Sequence, residues 1–206
     1  QLAKESHIEA DLVIPVPDSG VPAAIGYAEA SDIPFELGII RNHYVGRTFI
    51  EPTQTIRAFS VKLKHNANRI LVDKKRVILI DDSIVRGTTS IKIVQMMREA
   101  GATEVHMRIA APPIRHPDFY GIDTPVQDQL LAANSSLEEM CDFIGADSLA
   151  FLTVDGLYKA MGHKNGRDND NPAYTDHCFT GDYPTQLQDQ KNDEKIQQLS
   201  LLSERR

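Results

Sequence analysis

Apolar residues in this chain gather in short unbroken runs, with stretches of helical period between them. Asp11-Leu-Val-Ile-Pro-Val16, Val77-Ile-Leu-Ile80 and Glu104-Val-His-Met-Arg-Ile-Ala-Ala111 have strand length but no clean polar–apolar alternation, the pattern of strands covered on both faces. Pro34-Phe-Glu-Leu-Gly-Ile-Ile40 reads as another strand. After the first run, Val21-Pro22 and the alanine-rich residues 23–30 carry helix-start signals. Residues 90–100 place Ile93, Met96 and Met97 on one helix face and stop at Gly101. This βαβαβ order predicts an α/β fold with a central, mostly parallel sheet flanked by helices.

The remaining pattern is weaker. Residues 2–9 read as the last turns of a helix. Beyond Pro112 the chain turns irregular, with helices expected over 126–133 and 137–144. Ser135 or Ser136, with Glu138 or Glu139, is placed to cap the second. Residues 148–152 suit an edge strand and 154–161 a short helix. Residues 163–176 are rich in Gly, Asn and Asp and read as a loop, and 186–206 as a frayed helix or disordered tail.

Composition narrows the function classes. With 206 residues, 41% of them hydrophobic, one domain with a sizeable core is expected. The net charge of −7 disfavours nucleic acid and anionic membranes as partners, and no run approaches bilayer length. Cys141 and Cys178 stand far apart without a CxxC, so two ordinary cytosolic thiols are expected, with neither a disulfide framework nor a zinc site indicated. His106 sits among apolar neighbours and reads as a structural histidine.

Chemistry concentrates where Val77-Ile-Leu-Ile80 ends. Asp81 and Asp82 are consecutive at a strand end, so they point in different directions, and burying unpaired carboxylates is costly. Metal ions, hydroxyls or cations are the natural partners. Behind them, Ser83, Ile84, Val85, Arg86, Gly87, Thr88 and Thr89 offer hydroxyls and successive backbone amides at a helix start, a ready phosphate nest. Neither a Walker loop nor a GxGxxG is present. A ribose held by the acids with its 5′-phosphate in the turn fits this set. A second turn, Pro17-Asp18-Ser19-Gly20, precedes the first helix. Between the two turns, residues 41–55 lose all periodicity yet carry Tyr44, Val45, Phe49 and Ile50 beside Arg41, His43 and Arg47, followed by Arg57, Lys62, Lys64 and Arg69. A basic lid closing over an anion suits that composition.

The stretch Val77-Ile-Leu-Ile-Asp-Asp-Ser-Ile-Val-Arg-Gly-Thr-Thr89 resembles the phosphoribosyl-pyrophosphate (PRPP) signature of the type I phosphoribosyltransferases. With Ile14-Pro-Val-Pro-Asp-Ser-Gly20 and Arg41-Asn-His-Tyr-Val-Gly-Arg-Thr-Phe-Ile50, it is most similar to the glutamine PRPP amidotransferase (amidophosphoribosyltransferase) family over residues 10–185. The resemblance implies a type I phosphoribosyltransferase fold and attack of ammonia on PRPP to give 5-phosphoribosylamine and pyrophosphate, the first step of de novo purine synthesis. It implies that Asp81 and Asp82 meet the ribose hydroxyls and the shell of a Mg²⁺ ion. Ser83, Ile84, Val85, Arg86, Gly87, Thr88 and Thr89 are then expected to hold the 5′-phosphate. Asp18, Ser19 and Gly20 would form the pyrophosphate loop with Ser19 near the metal, and Tyr44, Arg47 and Lys62 the lid. Also implied are a cytoplasmic homo-oligomer and feedback by purine nucleotides.

Departures from the family accompany these matches. The family opens on a glutamine-hydrolysing domain with an N-terminal Cys, whereas Gln1 stands here. The chain is thus expected to be a C-terminal fragment that relies on ammonia from a glutaminase domain outside it. Residues 1–10 are expected to be a helix remnant, 11–160 the transferase domain and 161–206 an extension. Some members bind an iron–sulfur cluster through four cysteines. This chain has Asp118 at one of those places and Pro172 and Thr175 before Cys178, so no cluster is expected. A salvage or orotate transferase, or a PRPP-binding regulator without turnover, stands as the alternative.

Overall fold

The computed structural model describes residues 1–42, 65–122, 124 and 126–185. Its centre is a four-stranded parallel sheet in the order β1-β4-β5-β6, formed by Leu12–Pro15, Arg76–Asp81, Glu104–Ile109 and Ser148–Phe151. Register places Leu12 beside Val77, Arg76 beside Glu104, and His106 beside Ser148. The three unbroken runs are β1, β4 and β5; β1 forms one edge of the sheet and residues 148–151 the other.

Alternation along β4 explains why an all-apolar run was needed there. Successive side chains point to opposite faces. Val77 and Leu79 pack with Ile93, Val94 and Met97 of a helix at Thr88–Glu99 and with Met140 and Ile144 of one at Leu137–Ile144. Ile78 and Ile80 pack on the other face with Ala24, Tyr27 and Ala28 of α2 (Val21–Ser31) and with Leu2 and Ala3 of α1 (Leu2–Ser6). Both faces are therefore covered, as parallel sheets require.

Residues 34–40 do not form one strand. Phe35 makes a single parallel bridge to Val13, and the chain then leaves the sheet. Ile39–Arg41 (β2) pairs antiparallel with His65–Ala67 (β3), so the two ends of the intervening segment lie side by side. Where it leaves, Gly38 packs closely on β1: a Cβ there would lie 2.5 Å from Ile14 Cδ1. A short helix, α3 (Arg69–Val72), leads into β4, and α4 is the Thr88–Glu99 helix. The helix expected over 126–133 is instead a 3₁₀ turn at Gln127–Gln129 and one turn, α5 (Leu131–Asn134). α6 (Leu137–Ile144) has the expected bounds and a capping box between Ser136 and Glu139. Ser136→Ala removes one reciprocal bond of that box and should cost about 1 kcal/mol, lowering the thermal midpoint by about 2–4 °C in a melt.

The last described elements are α7 (Val154–Ala160) and α8 (His177–Thr180). Between them Arg167, held in a nearly buried position, donates to both carboxylate oxygens of Asp176 at 2.6 and 3.1 Å, and Tyr158 Oη of α7 donates to the same carboxylate at 2.8 Å. Burial works against ionisation of Asp176, but these donors hold its carboxyl below the usual carboxylate range. His106 is buried and spends both ring nitrogens, on Ser148 Oγ and Glu104 Oε2, the structural role its setting predicts. No described helix is long and apolar enough to cross a membrane.

Candidate active site

β1 and β4 are neighbours, so the turns at their C-terminal ends meet. Between them opens a cleft of about 640 Å³, lined by Asp18 and Ser19 of the first turn and by Asp81, Asp82, Ser83, Ile84, Val85, Arg86, Gly87, Thr88 and Thr89 of the second. Arg41 and His65, partners across β2–β3, complete its wall. This is the sheet edge at which open α/β folds take ligands.

The second turn is shaped to receive an anion. Among the described residues, the amides of Val85, Arg86, Gly87, Thr88, Thr89 and Ser90 donate to no protein acceptor; the first bond of the following helix runs from Ile91 N–H to Gly87 O at 3.0 Å. Amides left free at a helix start carry its positive end toward the cleft. Gly87 makes the turn possible with φ of 74°, and a Cβ there would also meet Leu131 Cδ2 at 2.7 Å. The segment after β5 supports the turn from outside. Leu131 N–H donates to Val85 O at 2.9 Å, and Arg86 donates to Gln129 Oε1 at 3.0 and 3.2 Å. That support was not legible in the irregular sequence beyond Pro112.

The two acids differ as their spacing predicts. Asp81 is 7% exposed, while Asp82 faces solvent. Burial first, and the neighbouring Asp82 charge second, push the Asp81 carboxyl up to about 7, with a bond from Asp82 N–H at 2.9 Å opposing the rise. Asp82 accepts from Ser83 N–H at 2.6 Å. Such a pair carries more negative charge than its protein surroundings neutralise.

In the first turn, Gly20 is buried against the sheet, and its N–H donates to Val16 O at 3.0 Å. The Pro17–Asp18 peptide bond is cis. Asp18 is ion-paired with Arg41, which sequence reading placed in a lid and which instead belongs to β2. Buried Arg41 Nε has no partner among the described residues. Tyr44, Arg47 and Lys62 lie outside the described residues. His65 was missed because nothing in its local sequence singles it out; only the β2–β3 pairing brings it to the cleft.

Among the described residues one cluster of potential metal-ligating groups is compact: Asp118, His177 and Cys178. None of the three lines the cleft.

The phosphoribosyl transferase domain family matches residues 1–115, and the chain belongs to that family. Its fold is the type I phosphoribosyltransferase fold. More particularly, the chain is 64% identical over 203 residues to the amidophosphoribosyltransferase of Rhizobium etli, covering 98% of this chain and 41% of that protein. It is 57% identical over 186 residues to the Bacillus subtilis amidophosphoribosyltransferase, covering 90% and 39%. A solved structure of the B. subtilis glutamine PRPP amidotransferase, complexed with ADP and GMP, superposes with a TM-score of 0.79 at 57% identity over 90% of this chain and 40% of that one. The chain thus spans about two fifths of the length of these relatives.

Proposed function

We propose that this chain supplies the PRPP site of an amidophosphoribosyltransferase. The observation that carries it is the juxtaposition, in one cleft, of an acidic pair, a turn of six amides unclaimed among the described residues, and the Asp18–Ser19 loop. The 5′-phosphate sits on the amides of Val85, Arg86, Gly87, Thr88, Thr89 and Ser90, with Ser83, Thr88 and Thr89 offering hydroxyls. Ribose hydroxyls face Asp81 and Asp82. The diphosphate lies against Asp18, Ser19 and Gly20, whose loop Arg41 braces. Ammonia donates its lone pair to C1 while the bond from C1 to the diphosphate oxygen breaks, and loss of a proton to solvent leaves 5-phosphoribosylamine and pyrophosphate. No strong protein base is needed, because ammonia is already nucleophilic and the positive charge at C1 forms as the leaving group departs.

Mg²⁺ fits the donor set. Ser19, Asp81 and Asp82 present oxygen only, as a hard cation prefers, and burial, with the Asp82 charge second, pushes the Asp81 carboxyl up. When bound, the ion neutralises charge on the departing pyrophosphate. In the same proposal Tyr44, Arg47 and Lys62 close over PRPP, and ammonia arrives from a glutaminase domain of the whole protein. Purine nucleotides act as feedback inhibitors of a cytoplasmic homo-oligomer; the B. subtilis relative solved with ADP and GMP supports the nucleotide part.

Calorimetry with PRPP and Mg²⁺ tests the site. Wild type should bind, and Asp82→Asn should weaken binding about tenfold or more, equivalent to about 1.4 kcal/mol. A pyrophosphate-release assay with saturating ammonia on the whole protein tests the reaction. PRPP binding without any release would sink the transferase and leave the regulator.

A further inference from the structure

We propose that Gln129 is a positioning residue for the 5′-phosphate turn: its neutral side-chain oxygen fixes the Arg86 guanidinium beside the turn and leaves the full charge of that arginine to a bound phosphate. The proposal deepens the PRPP reading of the cleft and rests on it.

One short segment holds the turn from behind. Leu130 is 0% exposed and anchors that segment in the fold. On one side of it, Leu131 N–H donates to Val85 O at 2.9 Å. On the other, Gln129 Oε1 accepts from Arg86 Nε and Nη2 at 3.2 and 3.0 Å. A guanidinium has only donors, so the oxygen of the Gln129 amide is the atom that must face it. Gln129 itself ends the 3₁₀ turn at Gln127–Gln129, with its N–H on Val126 O at 2.9 Å. Asn134 Nδ2 donates to Gln127 O and Leu130 O at 3.0 and 2.9 Å, which ties that turn to α5. The acceptor is therefore in place before any ligand arrives. It orders Arg86, a residue otherwise exposed to solvent.

Charge separates Arg86 from the other arginine of the cleft. Arg41 is ion-paired with Asp18, whereas among the described residues no carboxylate pairs with Arg86. A carboxylate at position 129 would accept the same two bonds and cancel the charge. An amide oxygen orients the guanidinium without cancelling it. That difference matters in a cleft that already holds Asp81 and Asp82, in a chain of net charge −7. The amides of the turn bring only the partial charge of a helix start. Arg86 adds a full charge for a dianionic phosphate, held to one place by Gln129. Local sequence places Arg86 in the turn but does not reveal its partner, which lies 43 residues further along the chain.

Calorimetry of PRPP with Mg²⁺ at pH 8 on the 206-residue chain is the experiment. Gln129→Glu should weaken PRPP about fivefold in about 0.1 M salt. The loss should shrink below about twofold in about 1 M salt, where screening cuts electrostatic reach to about 3 Å. Gln129→Leu keeps the arginine's charge but loses the acceptor, and should weaken PRPP about threefold at both salt concentrations. In an Arg86→Leu background Gln129→Leu should have no further effect, because Gln129 acts through Arg86. Pyrophosphate with Mg²⁺ has no 5′-phosphate and should bind every variant as it binds wild type, which also shows that each one folds. Gln129→Glu binding PRPP as tightly as wild type in about 0.1 M salt overturns the proposal. So does a loss of pyrophosphate affinity equal to that of PRPP, or a Gln129→Leu effect that persists without Arg86. Wild type that fails to bind PRPP overturns the reading of the cleft, and this proposal with it.

Discussion

Asp81→Asn is expected to stabilise the ligand-free protein at pH 8 by roughly 2–4 kcal/mol while removing its proposed activity. The reason is the raised carboxyl. In the unfolded chain an Asp titrates near about 3.9, whereas burial and Asp82 push Asp81 up to about 7 in the fold. Between those values the native state holds a proton that the unfolded state has lost. Stability therefore falls as pH rises through that window, and the full penalty, about 4 kcal/mol for three units, persists above it. Asparagine never carries the charge, and its carbonyl keeps the bond from Asp82 N–H. Denaturant unfolding of metal-free protein at pH 4 and pH 8 measures this. The two proteins should nearly coincide at the lower pH and separate at the higher one; equal stability at pH 8 would show that the buried charge costs nothing. Pyrophosphate release in the same variant should fall by about two orders of magnitude or more, since the metal shell and a ribose contact are lost together.

Gly20→Ala should be the most damaging substitution in the first turn. A Cβ at that position would lie 2.3 Å from Ile80 O and 2.8 Å from Val16 O. Both carbonyls are held, by Val16 N–H at 2.8 Å and by Gly20 N–H at 3.0 Å, so neither can turn aside. The turn itself has to move, at a cost of about 2–4 kcal/mol. Asp18 and Ser19 move with it, and PRPP affinity should drop about tenfold or more in calorimetry. Gly26→Ala is the control. It sits in the exposed middle of α2 with nothing within 4 Å of its added Cβ, and should raise stability by about 0.5–1 kcal/mol. Similar effects at the two glycines would contradict close packing as the cause.

Residues whose meaning is local were readable in the chain. Val77-Ile-Leu-Ile80 reads as a doubly covered strand because every position is apolar, and Asp81 and Asp82 read as a split pair because strand side chains alternate. Ser136 and Glu139 reveal a helix start through a three-residue spacing. Residues 34–40 misled, because an apolar run does not say whether the chain continues along the sheet or leaves it after one bridge. Arg41 stands out in the sequence by its charge, but its partner Asp18 lies on another element. Gln129 and Leu131, which buttress the turn after β4, sit in a stretch with no period at all.

The sequence by itself determined the three apolar strands β1, β4 and β5, the helices that follow β1 and β4, the small-residue turn after β4 and the acidic pair. Each is written in neighbours a few residues apart, where backbone geometry links spacing to direction. Tertiary structure alone decided that the β1 and β4 turns share one cleft, that Asp81 is buried enough to hold a proton near neutral pH, and that Asp118 meets His177 and Cys178. Those facts depend on strand adjacency and on solvent removed by distant elements, and neither quantity is a property of any short stretch of chain.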